Sequence, residues 1–349
     1  MAVDWARADL CHSLRVQMVD PYNLKTIRGE LADVIGGELQ LEYYGDTRMG
    51  ATLDAMDTCG WDGSSALRFI HTVSDYTGEL MTETLFTGYV TDAPLSGHTL
   101  SLTLNSTLHG METNVAPSGM TVSKSSKAKD AMASVFKTIS RPYRFGPGST
   151  DYLYGTSVVY DAGTDYLHIV NEVADKSGNR VNVDENGIVV IERYVAPSSK
   201  SKDWADDTSY ERTMVIGPIE YSDNSMQTPE RVIVHAEKDK QKITATAIAP
   251  AGSASRHSVR GYCIDDFHSE NELSPFTQAS AQSLANKYLK EALVIDRKCS
   301  HSMMYRPLRE GDIEQLTDRG QTLLWQVSSA KLDLNTWIWK LDLRGGWKQ

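Results

Sequence analysis

Apolar and polar residues alternate with a period of two over the first third of the chain. In His98–Leu108 the alternation places Leu100, Leu102 and Leu104 on one face. Gly, Asp, Asn and Pro separate such segments at the spacing that is typical of a barrel or a sandwich. The pattern therefore predicts a β domain over residues 1–118. Its other strand-like segments are Leu14–Asp20, Gly37–Tyr44, Ala66–Ser74 and Thr84–Asp92.

The apolar period becomes helical after residue 118. Ser126–Ser140 and Thr164–Gly178 each carry one apolar stripe at helical spacing, and Gly178 is placed to end the second helix. Asn179–Tyr194 then predicts a hairpin, because Asn186-Gly187 tolerates the positive φ angles of a tight turn. The polar stretch Ala196–Ser209 is interpreted as a linker. Residues 119–208 are thus predicted to form a small α/β domain and its linker.

The strand pattern returns at Tyr210 and is interrupted once. Thr277–Leu293 has an apolar stripe from Ala281 to Ala292 at helical spacing, and Ser274-Pro275 upstream suits a helix entry. We predict a second β domain formed by residues 209–262 and 303–349, with a helical insert at 263–302. Within Arg306–Arg319 the order of Pro, turn, Gly-Asp and apolar alternation predicts a strand that starts after a tight turn.

Length, composition and net charge limit the classes of protein to which the chain can belong. A length of 349 residues is typical of two or three compact units, and 40% apolar with 23% charged residues is typical of a soluble globular protein. The formal net charge of −11 disfavours a surface that binds nucleic acid or anionic lipid.

Cysteine use and hydropathy indicate the compartment. Cys11, Cys59, Cys263 and Cys299 stand singly, which favours buried or half-buried free thiols in a reducing compartment over a metal or redox motif. The N-terminus has no apolar signal core, and no run reaches the ~18 apolar residues of a membrane helix. We expect synthesis in the cytoplasm, no cleaved export signal and no membrane segment.

The densest polar cluster is Asp265–Glu272. Asp265, Asp266, His268 and Glu270 could bind a cation through carboxylate and imidazole groups. No second cluster with metal-ligand spacing accompanies them, and acidic residues ahead of a helix favour its N-terminal dipole. The cluster is therefore predicted to be a solvated loop.

Other catalytic patterns are incomplete. Gly146–Thr150 lacks the lysine and the strand–helix frame of a phosphate loop, and Asp62–Ala66 lacks the Gly-x-Ser-x-Gly elbow of a hydrolase. Nine histidines share no motif, among them His71, His98, His109 and His235. We predict no catalytic, cofactor-binding or metal-binding residue, no cofactor and no enzymatic activity.

Aromatic residues leave two interpretations open. Trp337 and Trp339 fall on one face of a predicted strand, and Tyr152, Tyr154 and Tyr160 lie close together in the sequence. Packing in a core or an interface is the favoured interpretation, and a platform for carbohydrate is the alternative.

Three segments together carry a resemblance to a known family. Asp184–Arg193, Ser274–Leu293 and Arg306–Leu316 occur in this order between two strand-rich blocks. They resemble, respectively, the middle α/β segment, the insert helix and the re-entry into the second barrel of phage tail hub proteins. In this respect the chain is similar to the tail-tip or baseplate hub proteins of tailed bacteriophages, such as the T4 baseplate hub and the N-terminal part of siphophage tail-associated proteins.

The resemblance implies a mainly β fold with α+β insertions, in which two tube-like β-barrel domains accompany two small α/β or helical insert domains. It also implies a homotrimeric ring whose six barrels match the sixfold tail tube and adapt it to the tip. Phage DNA would pass through this ring without sequence-specific binding, and acidic walls suit such a channel. The Gly-Asp turn within Arg306–Leu316 would be a scaffold joint.

The implied role is that of a virion structural protein in genome ejection and host cell entry, assembled in the host cytoplasm. The implied partners are the tail tube or distal tail protein, the tape measure protein and a separate tip, spike or fibre protein, since the chain ends at Gln349 shortly after its last strand. The turn Lys238–Lys240 is a candidate docking loop, whereas the helix stripes are expected to pack inside the subunit.

Two alternatives remain open at this point. The chain could be a carbohydrate-binding or cell-wall-hydrolysing tail module, which binding to glycans or activity on cell wall would reveal. It could also be the equivalent hub of a contractile injection system.

Overall fold

The computed structural model describes residues 3–7, 9–211, 213–224, 227–238, 241–253, 255–270, 276–293 and 297–347. The chain divides into two compact units. Unit 1 comprises residues 1–218, 300–343 and 347–349, and unit 2 comprises residues 219–299 and 344–346. Strands dominate both units, which confirms the predicted mainly β fold with α+β insertions. In the described part of the chain, no helix is long and apolar enough to cross a membrane.

The first nine strands precede or flank the first helices. Their bounds are β1 (Cys11–Val19), β2 (Ile27–Leu31), β3 (Val34–Glu42), β4 (Met49–Met56), β5 (Ala66–Asp75), β6 (Gly78–Asp92), β7 (Leu95–Ser96), β8 (Thr99–Asn105) and β9 (Met120–Val122). The next elements are α1 (His109–Glu112), α2 (Ala128–Thr138), β10 (Tyr143–Phe145), β11 (Val158–Tyr160), α3 (Tyr166–Lys176), β12 (Asn179–Val183) and β13 (Val189–Arg193).

A short 3-10 helix, Pro197–Ser199, leads into the remaining elements. These are β14 (Trp204–Asp207), β15 (Val215–Asp223), β16 (Arg231–Lys238), β17 (Gln241–Ile248), α4 (His257–Arg260), β18 (Asp265–Glu270), α5 (Gln278–Ala292), β19 (Arg297–Met304), β20 (Ile313–Asp318), β21 (Gln321–Asp333) and β22 (Ile338–Trp347).

Fourteen strands of the described residues form the main sheet. Its order is β15-β19-β22-β21-β3-β4-β8-β6-β5-β1-β2, with β20 pairing β21 and β14, and β7 pairing β8. Alternation in the sequence sets its two faces, as in β8, where Leu102 and Leu104 are buried and Thr103 between them is exposed. The order runs from one end to the other without closing, so no closed barrel is found among these strands.

The small α/β part of unit 1 follows the predicted helices and hairpin. Helices α2 and α3 bury their predicted stripes, including Phe136 and Ile169 at 0% exposure. Asp165 caps α3 by accepting a hydrogen bond from the backbone N–H of His168 at 2.7 Å, and Gly178 follows the helix at φ +67°. Strands β12 and β13 form the predicted antiparallel hairpin beside β10.

The interpretation of Ala196–Ser209 as a linker is wrong in part. The stretch contains β14, which pairs in parallel with β20 of the main sheet. Trp204 of this strand is buried. The strand has only four residues and one large apolar side chain among polar neighbours, so no alternation marks it in the sequence.

The strands assigned by sequence to a second β domain lie in two sheets. Strand β21 pairs with β3 of the N-terminal block, with Ser329 opposite Glu42. Strands β16, β17 and β18 form a separate three-stranded sheet in unit 2. The predicted division of the chain into four parts stays a prediction.

Unit 2 places helix α5 on one face of its sheet. Ala281, Ala285 and Leu289 of the predicted stripe pack with Val232 and Val234 of β16. The helix prediction is therefore confirmed. Its predicted entry at Ser274-Pro275 lies outside the described residues, as do Glu272 and, in the Lys238–Lys240 turn, Asp239 and Lys240.

The four cysteines are free thiols. Cys59 and Cys299 are buried, as expected, whereas Cys11 and Cys263 are exposed. The expectation of burial is therefore wrong for two of them.

Candidate functional site

Two turns of unit 1 meet at the main sheet, and we call residues 184–188 and 309–312 the Gly311 junction. The first turn closes the β12–β13 hairpin. Asp184 Oδ1 accepts the backbone N–H groups of Asn186 at 3.1 Å and Ile188 at 2.9 Å. Gly187 has a φ of +77°, which a glycine adopts without steric cost. The predicted Asn-Gly hairpin turn is thus confirmed. Of Asn186 and Gly187, only Gly187 has a positive φ.

This first turn is held by threonines of the main sheet and its flank. Thr107 Oγ1 donates to the carbonyl of Gly187 at 2.8 Å, and Thr87 Oγ1 donates to the carbonyl of Glu185 at 2.9 Å. A Cβ on Gly187 would lie 2.9 Å from Leu24 Cδ1, closer than real contacts allow. The hairpin tip is therefore packed against the strands and is not free to move independently.

The second turn, Arg309–Asp312, belongs to the segment that the sequence marked as a turn followed by a strand. Gly311 has a φ of +79°, and its N–H donates to the carbonyl of Val327 at 3.1 Å. Val327 in turn donates to the carbonyl of Asp312 at 2.9 Å. The ring of Tyr43 occupies the space that a Cβ at position 311 would need. Strand β20 begins directly afterwards, which confirms the predicted strand start.

The stretch first interpreted as a linker also binds this turn. Lys200 Nζ donates to the carbonyl of Gly311 at 3.0 Å, and Asp203 Oδ2 accepts the N–H of Ile313 at 2.7 Å. Arg309 lies 2.8 Å from Glu185 Oε1 and so ties the second turn to the first. Three segments, 184–188, 200–203 and 309–313, therefore meet at this turn.

Two arginines bind Tyr43, the residue that packs against Gly311 of the junction. Arg48 and Arg180 each donate to the carbonyl of Tyr43 at 2.5 Å, and the Arg180 guanidinium lies 3.3 Å from the centre of the Tyr43 ring. Burial lowers the pKa of both arginines. Cation–π contact and shared carbonyl bonding hold β12 against the β3–β4 hairpin.

A cavity of about 750 Å³ lies beside the junction, with carboxylates prominent in its lining. Burial raises the pKa of Glu310 to about 7, although Arg180 and Arg48 act in the opposite direction. Burial likewise raises the pKa of Asp312 to about 6, while its carboxylate accepts the N–H of Arg309 at 2.8 Å. Both carboxyl groups of the second turn thus have a raised pKa, and burial is the largest cause in each. Across the described residues, no group of three or more His, Cys, Asp or Glu is placed to hold a metal ion.

The predicted solvated loop Asp265–Glu272 is instead strand β18 over its first six residues. It pairs in parallel with β16, so Asp265 and Asp266 point to opposite faces. Asp265 forms a two-pronged ion pair with Arg231 at 2.7 and 2.6 Å, and His268 Nε2 lies 3.0 Å from Asp266 Oδ2. The loop prediction is wrong because the acidic residues of this segment show no strand pattern. The strand forms through its pairing with β16.

Four of the five aromatic residues are buried, as the packing interpretation predicts, although Trp337 lies in the turn before β22 and not on the predicted strand. Trp339 is 1% exposed and Trp337 8%, and Trp339 Nε1 donates to the carbonyl of Arg306 at 3.0 Å. Tyr154 and Tyr160 are buried as well, and Tyr152 is partly exposed. The tryptophan pair is therefore core packing.

A histidine pair that no sequence pattern indicates lies beside Trp337. His12 Nδ1 and His71 Nε2 are 2.9 Å apart, and His71 Nδ1 lies 3.3 Å from Glu83 Oε1, which also accepts the hydroxyl of Tyr305. Burial, with repulsion from His71, lowers the pKa of His12 to about 4. These residues are far apart in the sequence, so only strand pairing reveals them.

Comparison with known proteins gives matches in structure but not in sequence. No family model matches the chain, and no curated protein matches it. The tail protein from Neisseria meningitidis MC58 has a TM-score of 0.63 at 11% identity, over 96% of each chain. The 43 kDa tail protein of prophage MuSo2 from Shewanella oneidensis has a TM-score of 0.61 at 10% identity, over 95% of this chain and 97% of that one.

A further match comes from a secretion apparatus. An Escherichia coli component of the type VI secretion system, described as structurally similar to T4 bacteriophage tail proteins, has a TM-score of 0.51 at 11% identity. It covers 97% of this chain and 77% of that one. The first two matches extend over nearly the whole of both chains, and each is a tail protein. The chain therefore has the fold of phage and prophage tail proteins.

Proposed function

We propose that this chain is a structural hub protein of a phage tail tip or baseplate. One observation carries the proposal, namely the likeness in fold to a tail protein over 96% of both chains. The Gly311 junction supports a structural role, since hydrogen bonds and an ion pair join Thr107, the turn at 184–188, residues 200–203 and the turn at 309–313. The chemistry of the junction is that of a scaffold joint.

In this role three copies form a ring that adapts the sixfold tail tube to the tip and contributes to the DNA channel. The net charge of −11 supports a channel wall, because a negative surface does not bind phosphates and so does not retard passing DNA. Neighbours in the assembly are the tail tube or distal tail protein, the tape measure protein and a separate tip, spike or fibre protein. The working location is the virion tail.

The corresponding hub of a contractile injection system is the second candidate. The likeness to a type VI secretion component favours it, at a TM-score of 0.51 and with 77% of that chain covered. The phage tail assignment ranks first, because its matches have TM-scores of 0.63 and 0.61 and cover both chains almost fully.

The mass of the purified chain in solution tests the ring. Light scattering coupled to size exclusion should give three times the subunit mass of 38.7 kDa, and negative-stain images should show a ring with a central opening. A mass that stays at one subunit across a wide concentration range, with no ring on addition of tube protein, contradicts the proposal.

A further inference from the structure

An open pocket of about 780 Å³ lies on unit 1 beside the parallel pair β14–β20. Its lining includes Ala205, Asp207, Tyr210, Gln315 and Thr317. The Gly311 junction uses none of these residues. The lining combines one aromatic ring with carboxylate, amide and hydroxyl groups.

The register of the strands explains why these groups share one face. Ala205 is paired with Gln315, and Asp207 with Thr317, so these four side chains project from the same side of the sheet. Trp204 precedes Ala205, projects from the opposite side and is buried. The small side chain of Ala205 leaves room between the polar groups on either side of it.

Gln315 and Asp207 each keep one polar atom available. Lys202 Nζ donates to Gln315 Oε1 at 2.9 Å, so the amide oxygen faces the lysine and the amide N–H₂ group is turned away from it. Asp207 Oδ1 accepts the N–H of Ser209 at 2.9 Å and its hydroxyl at 2.6 Å, which leaves Oδ2. Neither Gln315 Nε2 nor Asp207 Oδ2 has a hydrogen-bond partner among the residues that the structure describes. The pocket thus offers one planar donor and one planar acceptor.

Tyr210 supplies an aromatic surface at the rim. Its side chain belongs to a residue that is 69% exposed. The backbone around it is held by two turn hydrogen bonds, from the N–H of Tyr210 to the carbonyl of Asp207 at 3.2 Å and from the N–H of Thr213 to the carbonyl of Tyr210 at 3.1 Å. These bonds fix the backbone at Tyr210, and its exposed ring offers an amphipathic contact surface that has only two side-chain torsions to order.

We propose that this pocket binds a pyranose sugar that is neutral or carries an amino group. A sugar ring presents C–H groups that pack on an aromatic face and neighbouring hydroxyls that both donate and accept hydrogen bonds. Tyr210 meets the first requirement, and Asp207 with Gln315 meets the second. The carboxylates of Asp207 and Glu211 in the lining outnumber the ammonium group of Lys202 beside Gln315, which disfavours an anionic sugar. Binding needs only one chain and is independent of the assembly proposed above.

Saturation-transfer NMR and titration on the full chain test the proposal. The probes are the methyl glycosides of glucose, galactose, mannose, N-acetylglucosamine and glucosamine, with that of sialic acid as the anionic comparison. At least one neutral or amino pyranoside should bind, and binding should weaken tenfold or more in Tyr210→Ala and fivefold or more in Gln315→Ala. Tyr76→Ala is the matched control, because Tyr76 is 87% exposed and lies outside the pocket.

Thermal unfolding of each variant shows whether the fold is kept, as expected for the exposed Tyr210 and the half-buried Gln315. Absence of binding for all five neutral and amino glycosides at millimolar concentration overturns the proposal. So does binding that Tyr210→Ala and Gln315→Ala leave unchanged, or binding that is stronger for the sialic acid glycoside than for the other five.

Discussion

Gly311 lies against the aromatic ring of Tyr43, at a backbone φ of +79°. The ring occupies the place of any Cβ at position 311, and the carbonyl of the same tyrosine accepts hydrogen bonds from Arg48 and Arg180. A single residue of the β3–β4 hairpin therefore contacts both the turn before β20 and the hairpin strand β12. This contact explains why the turn requires glycine for two separate reasons.

The first prediction separates those two reasons. Gly311→Ala should lower the free energy of unfolding by about 1–2 kcal/mol for the left-handed backbone and by about 1–3 kcal/mol more for crowding against Tyr43. Gly320→Ala is the matched control, because Gly320 has a φ of +75° and nothing within 4 Å of its would-be Cβ. Urea unfolding of both variants measures the difference.

Gly320→Ala should show the backbone cost alone. Equal losses in the two variants would contradict a tight contact between Gly311 and Tyr43.

The second prediction concerns the pH dependence that Glu310 gives to stability. Its pKa is about 7 in the folded chain, against an ordinary value of 4.5. The unfolded chain therefore releases this proton at lower pH than the folded chain, so the contribution of Glu310 to folding declines as pH rises from about 4.5 to about 7. Glu310→Gln removes the decline. Relative to the original chain, the variant should gain up to about 3 kcal/mol between pH 4 and pH 8.

Denaturant unfolding at pH 4, 6 and 8 measures this gain. Glu38→Gln is the control, because the Glu38 side chain is 43% exposed and faces Lys331 on the surface. A stability difference between Glu310→Gln and the original chain that is constant over this range contradicts the raised pKa of Glu310.

The third prediction concerns a buried ion pair between β19 and β20. His301 Nε2 lies 3.0 Å from Glu314 Oε2, and both side chains are 0% exposed. Burial opposes the charged imidazole, yet the hydrogen bond and charge of Glu314 raise the pKa of His301 overall. Glu314→Leu leaves a buried histidine without its partner and should cost about 3–5 kcal/mol.

The paired replacement of both residues by Leu should recover much of that loss, since no uncompensated charge remains. Because the raised pKa belongs to a histidine, the pair stabilises the fold below pH 6.5 and loses this effect as pH rises through the folded pKa. Thermal unfolding at pH 6 and pH 9 compares the single and double variants. A single variant that is as stable as the double one at pH 6 argues against an ionised pair.

The fourth prediction distinguishes internal packing from assembly. Leu289 of α5 is 7% exposed and belongs to the core of unit 2, so Leu289→Ala should cost about 2–5 kcal/mol. Leu153→Ala is the control, because Leu153 is 61% exposed. The mass in solution of the folded Leu289→Ala protein should equal that of the original chain. Loss of the oligomer with unchanged thermal stability would make α5 an interface element instead.

Local patterns in the sequence determined the helices and the tight turns. Helices α2, α3 and α5 follow from apolar residues at helical spacing, because a helix buries one stripe whatever it packs against. The β12–β13 hairpin follows from Asn186-Gly187, since a glycine adopts a positive φ without steric cost. Order and type of these elements could therefore be predicted without knowledge of their neighbours. The start of β20 after Gly311 belongs to the same class.

Tertiary structure alone decided which distant segments meet. Strand β14 shows no alternation in the sequence, and the acidic residues of β18 do not indicate a strand. Each strand is identified only by its pairing with a parallel neighbour. Pairing of Ser329 with Glu42 places β21 beside β3 in one sheet. The His12–His71 contact likewise depends on the pairing of β1 with β5. The pocket at Tyr210 likewise needs residues from β14 and β20. Strand pairing depends on backbone hydrogen bonds that every residue type except proline can donate, so side-chain pattern specifies a strand's faces but not its partner.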